Sequence, residues 1–267
     1  MNFTLTIMGT ASAMPISDRN PSAQMLQVNG RLFLIDCGEG TQKAMRRAHL
    51  SFMKVEAIFI THTHGDHLFG LFGLLNSLAM YGRTGKLDIY GPQPLGSILN
   101  FYRSFFGNED MYEIVYHPLS AKTPEVVHTS KCITVTAFPL KHKIDCYGYR
   151  FDEIVTERHH LENPSYTGKS YAYCSDTMPF PELKEYVRGV NTLYHEATYQ
   201  EEMADKAAAR FHSTTHQAAE CARDCGAGRL IVGHYSSRIT DFEAFIAECR
   251  EVFPETVAAQ DGDIFEI

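Results

Sequence analysis

The stretch "FITHTHGDHLFG", Phe59 to Gly70, sets His62, His64, Asp66 and His67 directly behind an apolar run. On a continuing strand, residues two apart point the same way, so the His62 and His64 imidazoles could meet at one ion. Gly65 permits a tight turn, after which Asp66 and His67 could face a second ion beside the first. Neutral imidazole is a common metal ligand, and four ligating groups crowded into so short a segment are a specific signal.

Four ligands do not complete two sites. Further candidates should arrive from later strand ends, where loops deliver side chains to a shared site. His142 follows "TAFPLK", Asp176 ends "YAYCSD" and His234 ends "RLIVGH". Taken singly, each of these also reads as a cap or turn residue, Asp176 most of all. Asp36, in "LIDCGEG", is expected to orient a ligand histidine through an outer hydrogen bond. Imidazole plus carboxylate suits zinc, with manganese or iron possible.

Short β-branched runs bounded by Gly, Pro and Asp predict strands at 3–9, 31–37, 55–60, 86–91, 132–138, 147–151, 171–176, 191–196, 229–234 and 263–267. Helices are expected from His67 to Tyr81, Gln93 to Phe106 and Asp241 to Val252. Another follows Thr214, which with Gln217 fits a capping box, and stops at Gly226. The fold class is therefore α/β or α+β, and residues 1–267 suffice for one domain or two fused halves; the resemblance described below implies a single domain over 1–267. Residues 152–170 are polar, lack a clear period, and read as a short surface arm or loop.

The 267 residues carry 24 Lys and Arg against 32 Asp and Glu, a formal charge of −8. That disfavours a generally basic nucleic-acid surface, though a local basic patch survives within an acidic average. Seven cysteines, an odd number without a Cys-x-x-Cys, suggest a reduced, cytoplasmic protein. The N-terminus "MNFTLTIMGTASAMP" has no basic n-region or long apolar core, so neither secretion nor membrane association is expected.

The ordered set His62, His64, Asp66, His67, His142, Asp176 and His234 resembles the metallo-β-lactamase superfamily. The resemblance implies a four-layer αβ/βα sandwich, two mixed sheets flanked by helices. Within that superfamily, "LFLIDCGEGTQ", "HEATY" and "FHSTTHQAAECARDCGAGRLIVGHYSSRI" resemble the ribonuclease Z family of tRNA 3′-processing endonucleases. Carried over, His62, His64 and His142 hold one Zn2+, and Asp66, His67 and His234 the other. Asp176 bridges them. Hydroxide activated by the metals attacks phosphorus, and Asp66 doubles as base. His212 assists the departing 3′ oxygen and Glu196 orients it, with His195 in support. Without the family, His212 reads equally well as a helix-entry residue. Arg19 and Asn20 correspond to substrate-binding positions of the family's Pro-x-Lys-x-Arg-Asn loop, and the family is typically homodimeric.

Two departures bear on the substrate. The family's long, basic, Gly-Pro-rich arm between the His142 and Asp176 positions is replaced by the short, acidic 152–170 segment. Ser17 stands where the loop lysine belongs. Removal of 3′ trailers from precursor tRNA is therefore weighed against hydrolysis of small phosphodiesters or other small esters, and against a non-catalytic zinc-binding protein.

Overall fold

The computed structural model describes residues 2–14, 16–106 and 112–267. In chain order its strands are β1 (Phe3–Gly9), β2 (Ala23–Val28), β3 (Arg31–Ile35), β4 (Val55–Phe59), β5 (Leu87–Pro92), β6 (Ile114–Leu119), β7 (Glu125–Thr129), β8 (Ile133–Leu140), β9 (Cys146–Glu153), β10 (Ser170–Cys174), β11 (Thr192–Glu196), β12 (Arg229–Gly233), β13 (Thr256–Ala258) and β14 (Ile264–Glu266). Its helices are α1 (Thr41–Arg47), α2 (Gly65–Leu68), α3 (Leu71–Met80), α4 (Pro94–Phe106), α5 (Glu157–Glu162), α6 (Leu183–Tyr186), α7 (Ala204–Arg210), α8 (Thr215–Cys225) and α9 (Phe242–Val252).

Two mixed sheets result, ordered β14-β1-β2-β3-β4-β5-β6 and β13-β12-β11-β10-β9-β8-β7. Each begins antiparallel and turns parallel, from β3 onward in the first and from β10 onward in the second. The sheets face each other across Phe33, Phe59, Tyr149, Phe151, Tyr173 and Ile231, all at most 2% exposed. Outside the first sheet, Met25, Leu34 and Ile58 pack on Leu71, Leu75 and Leu99 of α3 and α4. Outside the second, Leu193, Leu230 and Val232 pack on Ala218, Ala222 and Phe245 of α8 and α9. The four-layer sandwich expected from the sequence is therefore the fold observed, with three apolar interfaces between its layers.

The caps legible in the sequence explain α8 and α9. Thr214 Oγ1 accepts from Gln217 N at 3.3 Å, Gln217 Oε1 accepts from Thr214 N at 3.0 Å, and Gly226 ends the helix at φ 70°. Asp241 caps α9, accepting from Ala244 N at 3.0 Å. The single helix expected from His67 to Tyr81 is instead two, α2 and α3, broken at Gly70. The reason is a close backbone crossing. A Cβ on Gly70 would lie 2.1 Å from the Gly38 carbonyl oxygen, and Gly70 N donates to Cys37 O at 2.9 Å. The helix bends where the loop after β3 crosses it, and this crossing brings Asp36 to His67.

Strands β2, β6, β7 and β13 and helices α1, α5, α6 and α7 lie outside the elements expected from the sequence. In β2, Gln24 and Gln27 interrupt the apolar run. Gln24 is nonetheless buried and accepts from the Tyr171 hydroxyl, a partner on the other sheet. Residues 152–170 are more structured than a polar loop. Thr156 and His159 form a capping box on α5. Buried Glu153 accepts from Tyr166 Oη at 2.5 Å and Lys169 N at 3.2 Å, and His159 Nε2 lies 3.3 Å from it. The segment is tied back onto its own base. All seven cysteines are unpaired, and no helix among the described residues is long and apolar enough to cross a membrane.

Candidate metal centre

The loops after parallel strands of both sheets converge at one edge of the sandwich, as open α/β sheets bring ligand sites to the carboxyl ends of their strands. β4 leads to His62 and His64 and then to α2, which carries Asp66 and His67. β10 leads to Asp176, β11 ends in Glu196, and β12 leads to His234. His142 follows the antiparallel strand β8.

Ligand atoms of His62, His64, His142 and Asp176 lie within 4.8 Å of one another, and so do those of Asp66, His67 and His234. In the first group His62 Nε2 and His142 Nε2 approach His64 Nδ1 at 3.0 and 3.3 Å. In the second, His67 Nε2 and His234 Nε2 are 3.3 Å apart, with Asp66 Oδ2 at 3.4 and 3.5 Å from them. Asp176 faces both groups. Its Oδ2 is 3.6 and 3.7 Å from His62 and His142, while its Oδ1 is 3.5 and 3.2 Å from His67 and His234.

The outer nitrogens of four histidines are already engaged. With Nδ1 protonated, His62 donates to Thr61 Oγ1 (2.9 Å), His67 to Asp36 Oδ2 (2.8 Å), His142 to Phe211 O (3.0 Å) and His234 to Thr198 Oγ1 (2.9 Å). Each bond leaves an unprotonated Nε2 aimed into the cluster, the arrangement by which outer hydrogen bonds orient ligand imidazoles. Asp176 Oδ1 is buried and has no hydrogen-bond partner. Converging nitrogen lone pairs beside an unpartnered buried carboxylate oxygen are costly unless a cation fills the space between them. This donor set fits a dinuclear metal centre.

Asp36 reaches His67 from behind the cluster. Fully buried, it accepts from Thr61 N at 2.8 Å, Thr61 Oγ1 at 3.0 Å and Tyr173 Oη at 3.1 Å, besides His67. Asp36 and His234 both hold left-handed backbone, φ 54° and 63°. Such conformations cost a non-glycine residue of order 1 kcal/mol or more, and they gather at functional sites.

A second pair stands beside the cluster. Glu196 Oε1 is 3.0 Å from His212 Nδ1, and His212 Nε2 is turned toward Asp176 Oδ2 at 4.0 Å. Glu196 also accepts from Ser213 N and Thr177 N on Oε1, and from Thr198 N and Oγ1 on Oε2. Burial opposes the His212 charge, but the Glu196 carboxylate and its hydrogen bond outweigh it and hold the imidazole at about 9. Burial likewise opposes ionisation of Glu196, and the His212 charge and hydrogen bond bring it down to about 2.

Three residues expected at the site are not brought to it. His195 alternates with Glu196 along β11 and so faces the opposite side, donating from Nδ1 to Glu196 O at 2.7 Å and lining a separate cavity with Phe180 and Cys221. Arg19 is 9% exposed, with its guanidinium over the Tyr235 and Phe242 rings at 5.9 and 5.3 Å. Asn20 bonds to Asp261 Oδ2 through both its backbone N and its side chain, at 2.7 and 2.9 Å. The cleft over the cluster, about 780 Å3, is lined instead by four other cations, Lys143, Lys206, Arg210 and Arg238. Thr61 and Thr198, which fix ligand histidines, were also missed.

Residues 31–235 match the model of the β-lactamase superfamily domain, and with the twin cluster they define a metal-dependent hydrolase of that superfamily. Ribonuclease Z of Porphyromonas gingivalis is 36% identical over 295 residues, covering 97% of each chain. Ribonuclease Z of Parabacteroides distasonis is 36% identical over 297 residues, covering 98% of each. The crystal structure of the short form of human tRNase Z superposes with a TM-score of 0.83 at 28% identity, over 99% of both chains. The chain belongs to the ribonuclease Z family.

Proposed function

We propose that this protein is a ribonuclease Z-type endonuclease that removes 3′ trailers from precursor tRNA at a dinuclear zinc centre. The names of its relatives support the substrate. The single observation that carries the chemistry is the His212–Glu196 pair, since a centre that bound metal for structure alone would have no use for an imidazole paired with a buried carboxylate beside it.

His62, His64 and His142 would hold one ion, Asp66, His67 and His234 the other, and Asp176 would hold both. The mixed imidazole and carboxylate donors suit zinc, and manganese or iron(II) suits them as alternatives. When bound, two such cations lower the pKa of a shared water and stabilise charge on the phosphoryl oxygens. Asp66 would accept a proton from the attacking water, whose oxygen bonds to phosphorus. The bond from phosphorus to the 3′ oxygen breaks, and His212 gives its Nε2 proton to that oxygen. Glu196 keeps the imidazole charged and aimed until the transfer. The products are a tRNA ending in a 3′ hydroxyl and a trailer beginning with a 5′ phosphate.

The second reading, a phosphodiesterase for small esters, draws on two observations. The 152–170 segment folds back on Glu153 and offers no long arm, and Arg19 and Asn20 turn inward. Side-by-side turnover of a precursor tRNA and of bis(p-nitrophenyl) phosphate decides between them. Efficient cleavage of the tRNA supports the first reading, and turnover of the small ester alone supports the second. A cytoplasmic setting and a homodimer belong to the same proposal. The free thiols favour the former, and sedimentation of the purified protein tests the latter.

A further inference from the structure

Helix α7 presents Lys206 and Arg210, one turn apart, to the cleft that contains His212. Residues four apart lie on one helix face. Neither cation has a carboxylate within 4.0 Å among the described residues. The Lys206 ammonium sits 5.3 Å from the centre of the Tyr199 ring, and that ring is 6.1 Å from the His212 ring. Outward from the bridging Asp176, the order is therefore His212, Tyr199, Lys206. The α7 wall lies on the His212 side of the metal cluster.

That side has a chemical identity. In phosphoryl transfer the attacking and leaving oxygens stand roughly in line on opposite faces of phosphorus. His212 serves the leaving 3′ oxygen, and that oxygen belongs to the retained tRNA, not to the trailer. The strand that continues past His212 toward α7 is the retained 3′ end, so the phosphates reaching Lys206 and Arg210 precede the cut. The need for cations there is physical. The chain carries −8 overall, and Glu39, Asp66 and Asp176 add negative charge within the cleft. Phosphate contacts dominate nucleic-acid affinity, yet Ser17 has no charge and Arg19 is buried away from the cleft.

We propose that Lys206 and Arg210 hold backbone phosphates of the retained 3′ end of the tRNA, on the leaving-group side of the cut, replacing the cations that the 15–20 loop does not offer. The proposal rests on the ribonuclease Z reading and on the role given there to His212.

The test compares wild type, the double variant Lys206→Ala/Arg210→Ala, and the charge-keeping variant Lys206→Arg/Arg210→Lys, with metal content and thermal stability checked for each. Four quantities are measured: KM for precursor tRNA, the Kd of mature tRNA ending in a 3′ hydroxyl, the Kd of a 5′-phosphorylated trailer, and the salt dependence of tRNA binding. In the alanine variant, KM and the mature-tRNA Kd should rise on the order of tenfold while trailer binding holds. The slope of log affinity against log salt should become shallower by about 1.5, at roughly 0.7 to 0.9 per lost phosphate contact. The charge-keeping variant should recover most of the loss. An unchanged salt slope, an equal loss for the trailer, or no recovery would overturn the proposal. If wild type fails to cut the precursor, the reading of the site falls, and mature-tRNA binding alone then decides whether α7 holds RNA.

Discussion

Glu196 Oε1 lies 3.0 Å from His212 Nδ1, and the glutamate is fully buried while the histidine opens onto the cleft. The pair joins the second sheet, through β11, to the loop that starts α8. Removing the imidazole should cost transition-state stabilisation without disturbing the metal donors. His212→Ala is expected to lose about 10²- to 10⁴-fold in kcat, the usual scale for a lost acid–base group. Metal analysis should show two ions per chain, as in wild type. Full activity in the variant would remove His212 from the mechanism.

Glu196 receives four further hydrogen bonds, from Thr177, Thr198 and Ser213. Glu196→Gln would turn an amide donor against some of these donors and leave His212 without its counter-charge. Breaking a buried pair in this way costs about 3 to 5 kcal/mol. Denaturant unfolding should therefore show a large loss of stability, exceeding that of His212→Ala. Equal losses would contradict this account of the pocket.

The metal-free protein should display the pair's pH dependence. His212 is raised to about 9, so its contribution is fully present below its unfolded value near ~6.5 and is lost as pH rises through 9. Glu196 is depressed to about 2, so its contribution is present above roughly 4.3 and is lost as pH falls toward 2. The stability gap between wild type and His212→Ala should be widest between about pH 4.5 and 6.5 and should shrink toward pH 10. A gap that grows from pH 7 to 10 would reverse the assigned sign.

Asp36 touches no substrate, yet it fixes His67 at 2.8 Å from the far side. Asp36→Asn should weaken metal affinity about 10- to 100-fold, the range for lost outer partners of ligand histidines. Calorimetric titration of the metal-free variant measures this directly. Unaltered affinity would reduce Asp36 to a turn residue.

The clustered side chains of the candidate metal centre were legible because their signal is local. His62, His64, Asp66 and His67 crowd one loop, and each later ligand closes an apolar run, so strand ends could be recognised without knowing how the strands pair. The α8 caps were legible for the same reason. Arg19 and Asn20 misled because their partners are distant in sequence. Asp261 and Phe242 hold them, and only the closed fold brings those residues near. His195 misled because one step along a strand reverses the side chain. Lys206 and Arg210 lie on a polar helix like any solvated one, and their meaning depends on His212 lying beside them.

Arg19→Ala accordingly should lower thermal stability, through the lost stacking on Tyr235 and Phe242, while KM for precursor tRNA stays within about twofold. Cation–π contacts of this kind are worth about 0.5 to 2 kcal/mol each. A large rise in KM with unchanged stability would return Arg19 to the substrate.

The most direct measurement is the position and chemistry of the cut in a precursor tRNA with a 3′ trailer, read at single-nucleotide resolution with zinc or manganese present. The account predicts one cleavage after the discriminator base, leaving a 3′ hydroxyl on the tRNA and a 5′ phosphate on the trailer, abolished by chelation and by Asp66→Ala. An uncut precursor alongside brisk hydrolysis of bis(p-nitrophenyl) phosphate would contradict it, as would cleavage that persists without metal.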